Sequence, residues 1–284
     1  MNRPRAVARG VEMFPARTPT LPPATHTNSY ALGDRDVILV EPATPYDDER
    51  RAWIDWARGL ASQGRRLLAL LLTHHHDDHV GGAAFLADEL GLPIWAHAAT
   101  AARLPHVPIA RRLEDGDFLV LAGPWEQRFR VLHTPGHAPG HLCLIADDGT
   151  AIVGDMVASV GTILIPPDDG DMGVYLAQLD RLADLGARVA LPAHGEPIDE
   201  PTALFRRYIT HRLGREAKIV DALAARGAAG ATAEALVPEA YADTSPLAWP
   251  IARLSLEAHL LKLERDGRAR RDDEGRWRTV GSND

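Results

Sequence analysis

The chain has 284 residues, with 31 Lys and Arg against 39 Asp and Glu and a formal charge of −8. Apolar residues make up 45% and charged residues 25%, the proportions of a globular protein with a sizeable core rather than a disordered or fibrous chain. One Cys excludes a disulfide scaffold, the acidic balance excludes a generally basic nucleic-acid coat, and no stretch is apolar over the length a membrane helix needs.

The start places Arg3, Arg5 and Arg9 among Pro and Ala without the apolar segment of a secretory leader, so a bacterial-type cytoplasm is the expected location. Residues 1–23 are proline-rich and predict an extended arm. Thr27–Leu32 begins the first strand, and Val37–Val40 is a second, followed by Glu41-Pro42-Ala43. Tyr46–Gln63 carries Trp53, Ile54, Trp56, Ala57 and Leu60 at helical spacing and ends near Gly64. Leu67–Leu72 is a continuous apolar run and predicts a buried strand. Val80–Leu90 predicts a helix stopped by Gly91, and Leu92–Ala96 another strand. Leu142–Ala146 and Arg188–Leu191 have strand character. Between them, Met172–Leu185 repeats Val174, Leu176, Leu179, Leu182 and Leu185 at helical spacing, with Asp171 placed to cap it and Gly186 to stop it.

After Pro201 the character changes. Thr202–Arg226, Ala231–Ala240 and Pro250–Asp266 read as three helices. Arg268–Arg271 and Arg276–Val280, around the turn Asp272-Asp273-Glu274-Gly275, read as a terminal hairpin. Three helices followed by a hairpin is the order of a winged helix. The expected divisions are therefore an arm at 1–23, a catalytic domain at 24–200, and a helical linker with a winged-helix-like domain at 201–284.

The chemistry is concentrated in four segments. Thr73-His74-His75-His76-Asp77-Asp78-His79 places His74, His76, Asp78 and His79 in an H-x-H-x-D-H pattern on the loop that leaves a buried strand. His133-Thr134-Pro135-Gly136-His137-Ala138-Pro139-Gly140-His141, Val153-Gly154-Asp155 and Leu191-Pro192-Ala193-His194-Gly195 follow in order. Each sets a His or Asp on a Gly- or Pro-containing loop beside a strand. A lone histidine cluster can be a surface tract, but four ordered segments of nitrogen and oxygen donors point to a metal site. A set without Cys suits Zn²⁺ and tolerates Fe or Mn. The single Cys, Cys143, falls in a strand-like run and reads as a small buried hydrophobe.

These segments resemble the metallo-β-lactamase superfamily over nearly the whole chain. The resemblance implies an α/β fold, the αββα sandwich of that superfamily, followed here by a small winged-helix-like α+β domain. It implies a binuclear centre with two Zn²⁺ at one edge of the sheets. His74, His76 and His137 then hold the first ion, and Asp78, His79 and His194 the second. Asp155 bridges the two, and a bridging hydroxide is the nucleophile. Asp78 also orients that hydroxide. His141 is similar to a position that supports a ligand or handles a proton, with a satisfied structural histidine as the other reading. One departure stands out: the superfamily carries Asp-x-Gly after its early strand, where this chain has Glu41-Pro42-Ala43. Glu41 is the candidate to support the metal loop in its place.

A narrower resemblance follows from Tyr208-Ile209-Thr210-His211-Arg212 with Arg215-Glu216, from Pro166–Met172, and from the winged helix. Together they are similar to the beta-lactamase-like protein 2 family, which implies either single-strand RNA cleavage or hydrolysis of carrier-bound thioesters. True zinc β-lactamases do not combine a full H-x-H-x-D-H with a bridging Asp at the Asp155 position, and only 39 positions separate Asp155 from His194, so the large inserted domain of RNA-processing relatives is absent. The apolar stretch Ser159–Pro167 predicts a substrate wall at Ile163, Leu164 and Ile165. The acids Asp168, Asp169 and Asp171 predict repulsion of a polyanion. Residues from 201 onward carry 14 basic against 12 acidic groups, a net of only +2, so a module that caps the cleft or joins two copies is expected over a reader of nucleic acid. The expectation is a metal hydrolase acting on a small-molecule or carrier-bound acyl ester or thioester, away from membranes and compatible with a homo-oligomer. A single-strand RNA endoribonuclease is the alternative. A binding protein with a vestigial site is the third reading, which the complete donor set disfavours.

Overall fold

The computed structural model describes residues 3–280. Seven strands form one sheet in sequential order: β1 (Arg5–Ala8), β2 (Val11–Arg17), β3 (His26–Leu32), β4 (Asp36–Val40), β5 (Arg66–Leu71), β6 (Ile94–His97) and β7 (Ile109–Leu113). Its first half is an antiparallel meander, and β4 to β7 run parallel. Parallel strands need crossovers, and helices supply two of them: α1 (Asp47–Ser62) joins β4 to β5, and α2 (Asp77–Val80) with α3 (Ala83–Leu90) joins β5 to β6. The short α4 (Ala98–Arg103) precedes β7. Because β4 and β5 are covered on both faces, they read as unbroken apolar runs.

The second sheet has the order β12-β11-β10-β9-β8, from β8 (Phe118–Leu121), β9 (Gln127–His133), β10 (Leu142–Ala146), β11 (Thr150–Gly154) and β12 (Val189–Pro192). Between the sheets lies a core containing Met13, Tyr30, Ile38, Leu71, Phe129, Val131 and Leu144. Trp53, Trp56 and Leu60 of α1, with Leu86 of α3, cover the far face of the first sheet. Tyr175, Leu179 and Leu182 of α5 (Met172–Asp184), with Phe205 of α6 (Pro201–Ala225), cover the far face of the second. The result is the four-layered αββα sandwich. Helices α6, α7 (Ala233–Ala240) and α8 (Trp249–Arg265) then enclose a separate small core with the hairpin β13 (Ala269–Arg271) and β14 (Trp277–Thr279), which is the winged helix.

Two details depart from the sequence reading. The first 23 residues are not an extended arm, because β1 and β2 lie there and extend the first sheet. Pro15 fits in β2 because its carbonyl accepts from the Arg3 side chain, on the side away from β3, so its missing N–H breaks no ladder bond. The helix expected over Val80–Leu90 is broken into α2 and α3 at Gly81-Gly82. A Cβ on Gly82 would lie 2.7 Å from the Thr44 carbonyl oxygen, so only glycine lets the metal loop pack against the loop after β4.

All four motif segments leave strands at one edge of the sandwich, after β5, β9, β11 and β12. Two backbone bonds lace the sheets together there, from the Leu142 N–H to the Thr73 carbonyl at 2.9 Å and from the Asn28 N–H to the Ala193 carbonyl at 2.8 Å. Trp53, fully buried with its indole N–H donating to Ser29 Oγ at 2.8 Å, anchors α1 to this arrangement. Trp53→Ala is expected to cost about 3–5 kcal/mol in urea unfolding, from lost burial and the cavity left behind; a loss below about 1 kcal/mol would mean that α1 is not fixed through this ring.

Candidate metal centre

The four loops bring seven donors together. His74 Nε2, His76 Nδ1 and His137 Nε2 lie 3.0, 3.0 and 3.2 Å from one another. Asp78, His79 and His194 form a second group that could hold an ion. In that group His194 Nε2 is 3.4 Å and His79 Nε2 3.6 Å from the Asp78 carboxylate. Asp155 stands between the groups, 3.5 Å from His137 Nε2 and from His79 Nε2 and 3.4 Å from His194 Nε2.

The spacing can be tested against an ion. Bonds of about 2.0–2.1 Å in tetrahedral array put donor atoms roughly 3.3 Å apart, close to what these side chains show. The hydrogen bonding points the same way. His79 Nε2 and one oxygen of Asp155 are buried without a hydrogen-bond partner, an arrangement that costs stability unless a cation satisfies it. The donor set therefore fits divalent metal in each group.

Each metal-facing ring is held from behind by an oxygen. His76 Nε2 bonds Asp169 Oδ2 at 2.9 Å. His137 Nδ1 donates to the Leu164 carbonyl at 2.9 Å, and His194 Nδ1 to the His26 carbonyl at 2.9 Å. His74 Nδ1 is 3.0 Å from Thr73 Oγ1, which in turn donates to Glu41. The same Glu41 carboxylate is 3.2 Å from His79 Nδ1. Glu41 thus backs one histidine in each group and does so from full burial. Its φ of 58° is a left-handed conformation that costs a non-glycine residue on the order of 1 kcal/mol. That twist, at the end of β4, carries the longer side chain under the loop.

The charges divide the two groups. In the first group burial holds His74 well below its usual value and lowers His137 to about 4, so these two rings are neutral. In the second group burial opposes the charged forms but loses. His194, facing Asp155 and Asp78, is raised to about 10, and Asp78, beside His79 and His194, is lowered to about 2.

His141 has no nitrogen free to move a proton. The Asp155 N–H donates to His141 Nε2 at 3.0 Å, so its own proton is on Nδ1, 2.8 Å from Thr134 Oγ1. It orients the Asp155 backbone instead. Gly154, at φ 48°, allows this close approach, because a Cβ there would lie 2.5 Å from His141 Nε2.

A cleft of about 250 Å³ opens onto the donors. Ile163 and Leu164 line it, but Ile165 is fully buried in the core beneath α5, since successive residues of an extended segment face opposite ways. The opposite wall, Pro19–Ala24, is not evident in the sequence as part of the site. It is the loop between β2 and β3, pinned by a Thr18–Thr27 hydroxyl bond of 2.8 Å; the available signal is the run of prolines that rigidifies a turn. The acids expected to repel polyanions are mostly engaged. Asp169 contacts His75, His76 and Arg103, and Asp171 caps α5 while pairing with Arg265. Among the described residues none of the winged helix lines the cleft, whose last lining residue is His194.

The model of the metallo-beta-lactamase superfamily matches residues 22–194, and that of the beta-lactamase associated winged helix domain matches residues 232–277. The chain is 29% identical over 256 residues to the beta-lactamase-like protein 2 homolog of Drosophila melanogaster, covering 86% of this chain and 84% of that protein. It is 30% identical over 201 residues to an atrochrysone carboxyl ACP thioesterase of Aspergillus chevalieri, covering 69% of this chain but only 60% of that protein. A metallo-beta-lactamase family protein from Thermus thermophilus superposes with a TM-score of 0.79 at 26% identity, covering 97% of this chain and 100% of the other. A beta-lactamase domain protein from Burkholderia ambifaria shares the fold with a TM-score of 0.83 at 24% identity, covering 98% of this chain and 93% of that one.

Glu41→Gln keeps the size of the side chain but removes the charge behind His74 and His79. Metal affinity, measured by chelator competition, is expected to fall about 10–100-fold; unchanged affinity would show that the twist at Glu41 serves packing alone. Cys143 is buried, its thiol pushed up to about 12 by that burial. Cys143→Ala is therefore expected to leave turnover unchanged, and a folded but inactive variant would implicate the thiol.

Proposed function

The chain belongs to the metallo-beta-lactamase superfamily, and from that premise we propose that it is a hydrolase working with two divalent metal ions, zinc in the first instance, on an uncharged acyl ester or thioester. The observation that carries the reading is the orientation of five histidines. Each turns one nitrogen toward its donor group; four of them set the other against an oxygen behind it, and the Glu41 carboxylate lies 3.2 Å from the other nitrogen of the fifth, His79. His74, His76 and His137 would hold one ion, Asp78, His79 and His194 the other, and Asp155 both. When bound, such ions acidify a water and polarise the substrate oxygen.

The rest follows from the chain's own groups. Asp78 and Asp155 are the carboxylates that line the cleft, placed to accept a hydrogen bond from the attacking water and fix its direction. The apolar walls at Pro19–Ala24 and Val160–Pro166 enclose the acyl portion and keep bulk water from it. Among the described residues no Lys or Arg side chain lines the cleft, so a substrate with its own anion meets no fixed cation there. This favours an acyl group over a phosphodiester. The thioesterase named among the relatives adds support for a carrier-bound thioester. RNA cleavage gains little from the winged helix, because Arg268, Arg276 and Arg278 of the hairpin pair with Glu216, Glu274 and Asp272.

Metal-loaded protein assayed side by side is expected to cleave model acyl thioesters and to leave single-stranded RNA intact. Asp78→Ala is expected to lower thioester turnover by several orders of magnitude. RNA cleavage that Asp78→Ala abolishes, without thioester turnover, would overturn the acyl reading. In that event Arg270, Arg271 and Arg276 changed to Ala should weaken RNA binding and flatten its salt dependence.

A further inference from the structure

Glu41 stands behind one histidine of each group, His79 directly and His74 through Thr73, but the remaining rings are braced from different parts of the molecule. His79 and His194 are backed by Glu41 at the end of β4 and by the His26 carbonyl at the start of β3, both in the first sheet. His76 and His137 are backed instead by Asp169 and the Leu164 carbonyl, both on the loop between β11 and α5. That loop is tied to the C-terminal helices. Tyr208 Oη donates to the Ala158 carbonyl at 3.1 Å. Arg212 donates to the Ile163 carbonyl and reaches Thr162 Oγ1 at 3.4 Å. Arg265 of α8 pairs with Asp171 at the far end of the loop.

Arg212 is the unusual member. It is 4% exposed, its Nε has no hydrogen-bond partner, and among the described residues no carboxylate pairs with it. A buried guanidinium without a counter-charge is costly. Its bond to the Ile163 carbonyl falls on the residue next to Leu164, whose carbonyl fixes the His137 ring. Withdrawing the guanidinium frees the Ile163–Leu164 peptide to turn, and with it the acceptor that orients His137.

We propose that Arg212 is a positioning residue for the His74–His76–His137 subsite, so that the helix leading into the winged helix sets metal affinity at one subsite and leaves the other alone. This rests on the two-metal reading above. Two backgrounds separate the subsites: His194→Ala retains the His74–His76–His137 group, and His76→Ala retains Asp78–His79–His194. Zinc affinity is measured in each by competition with a chromophoric chelator, with circular dichroism of the metal-free proteins as the check on folding.

Arg212→Met is expected to weaken zinc binding about tenfold in the His194→Ala background, the scale of losing an outer support, and by less than twofold in the His76→Ala background. Arg212→Lys, which keeps one donor and loses the fork, is expected to recover part of the loss. Cobalt in place of zinc should show altered visible bands in the first background only. Equal losses in both backgrounds, or none in the first, would overturn the proposal. If Arg212→Met fails to fold, Arg212→Lys decides alone, and affinity within twofold of the parent in the His194→Ala background overturns it. The two-metal reading fails separately, if the unaltered chain binds fewer than two equivalents of zinc.

Discussion

An imidazole ring has two nitrogens, and a protein that wants one of them bare must occupy the other. That requirement organises this molecule. Three ring nitrogens within 3.2 Å of one another have nothing to gain from mutual contact; they are kept there by the oxygens behind them. The oxygens behind all five rings of the site come from a carboxylate at the end of β4, a carbonyl of β3, a threonine hydroxyl, and two points on the loop before α5. The sandwich is the frame that brings such distant acceptors to one edge.

The edge itself depends on backbone choices that look expensive in isolation. Glu41 adopts a left-handed conformation, Gly154 clears room for His141, and Gly82 clears room for the loop after β4. Strain and close approach of this kind persist only where surrounding structure overdetermines them, as the inter-sheet bonds at Asn28 and Leu142 do here. The cleft inherits its chemistry from what is left over: apolar walls, two carboxylates, and, among the described residues, no fixed cation.

Much of this can be read from the residues. The histidine and aspartate segments are short-range patterns, and their placement after apolar runs follows from strand chemistry. The core helices are legible from spacing, as with Trp53, Ile54 and Leu60. What stays hidden are relations between distant segments. Nothing local to Pro19–Ala24 says that it faces Val160–Pro166, and β1 and β2 are obscured by prolines whose tolerance depends on which side of a strand is unpaired. Ile165 looks like a cleft residue in sequence because apolar character does not reveal direction. Asp169 looks like a free charge because neither Arg103 nor His76 is near it in sequence. The winged helix is legible as a fold, but not its attachment to α5 and the loop ahead of it.

Helix α6 gives that attachment an unforgiving geometry. It runs unbroken for 25 residues, Pro201–Ala225, and presents Tyr208, Arg212, Arg215 and Glu216 to different partners in turn. Adding or deleting one residue between the first and last of these would rotate everything beyond by roughly 100°, taking the later side chains off their acceptors. Across a lineage, length should therefore be frozen over this stretch even where identities drift. The connection between Arg226 and Thr232, which carries no such contacts to the catalytic sheets, is where insertions should accumulate.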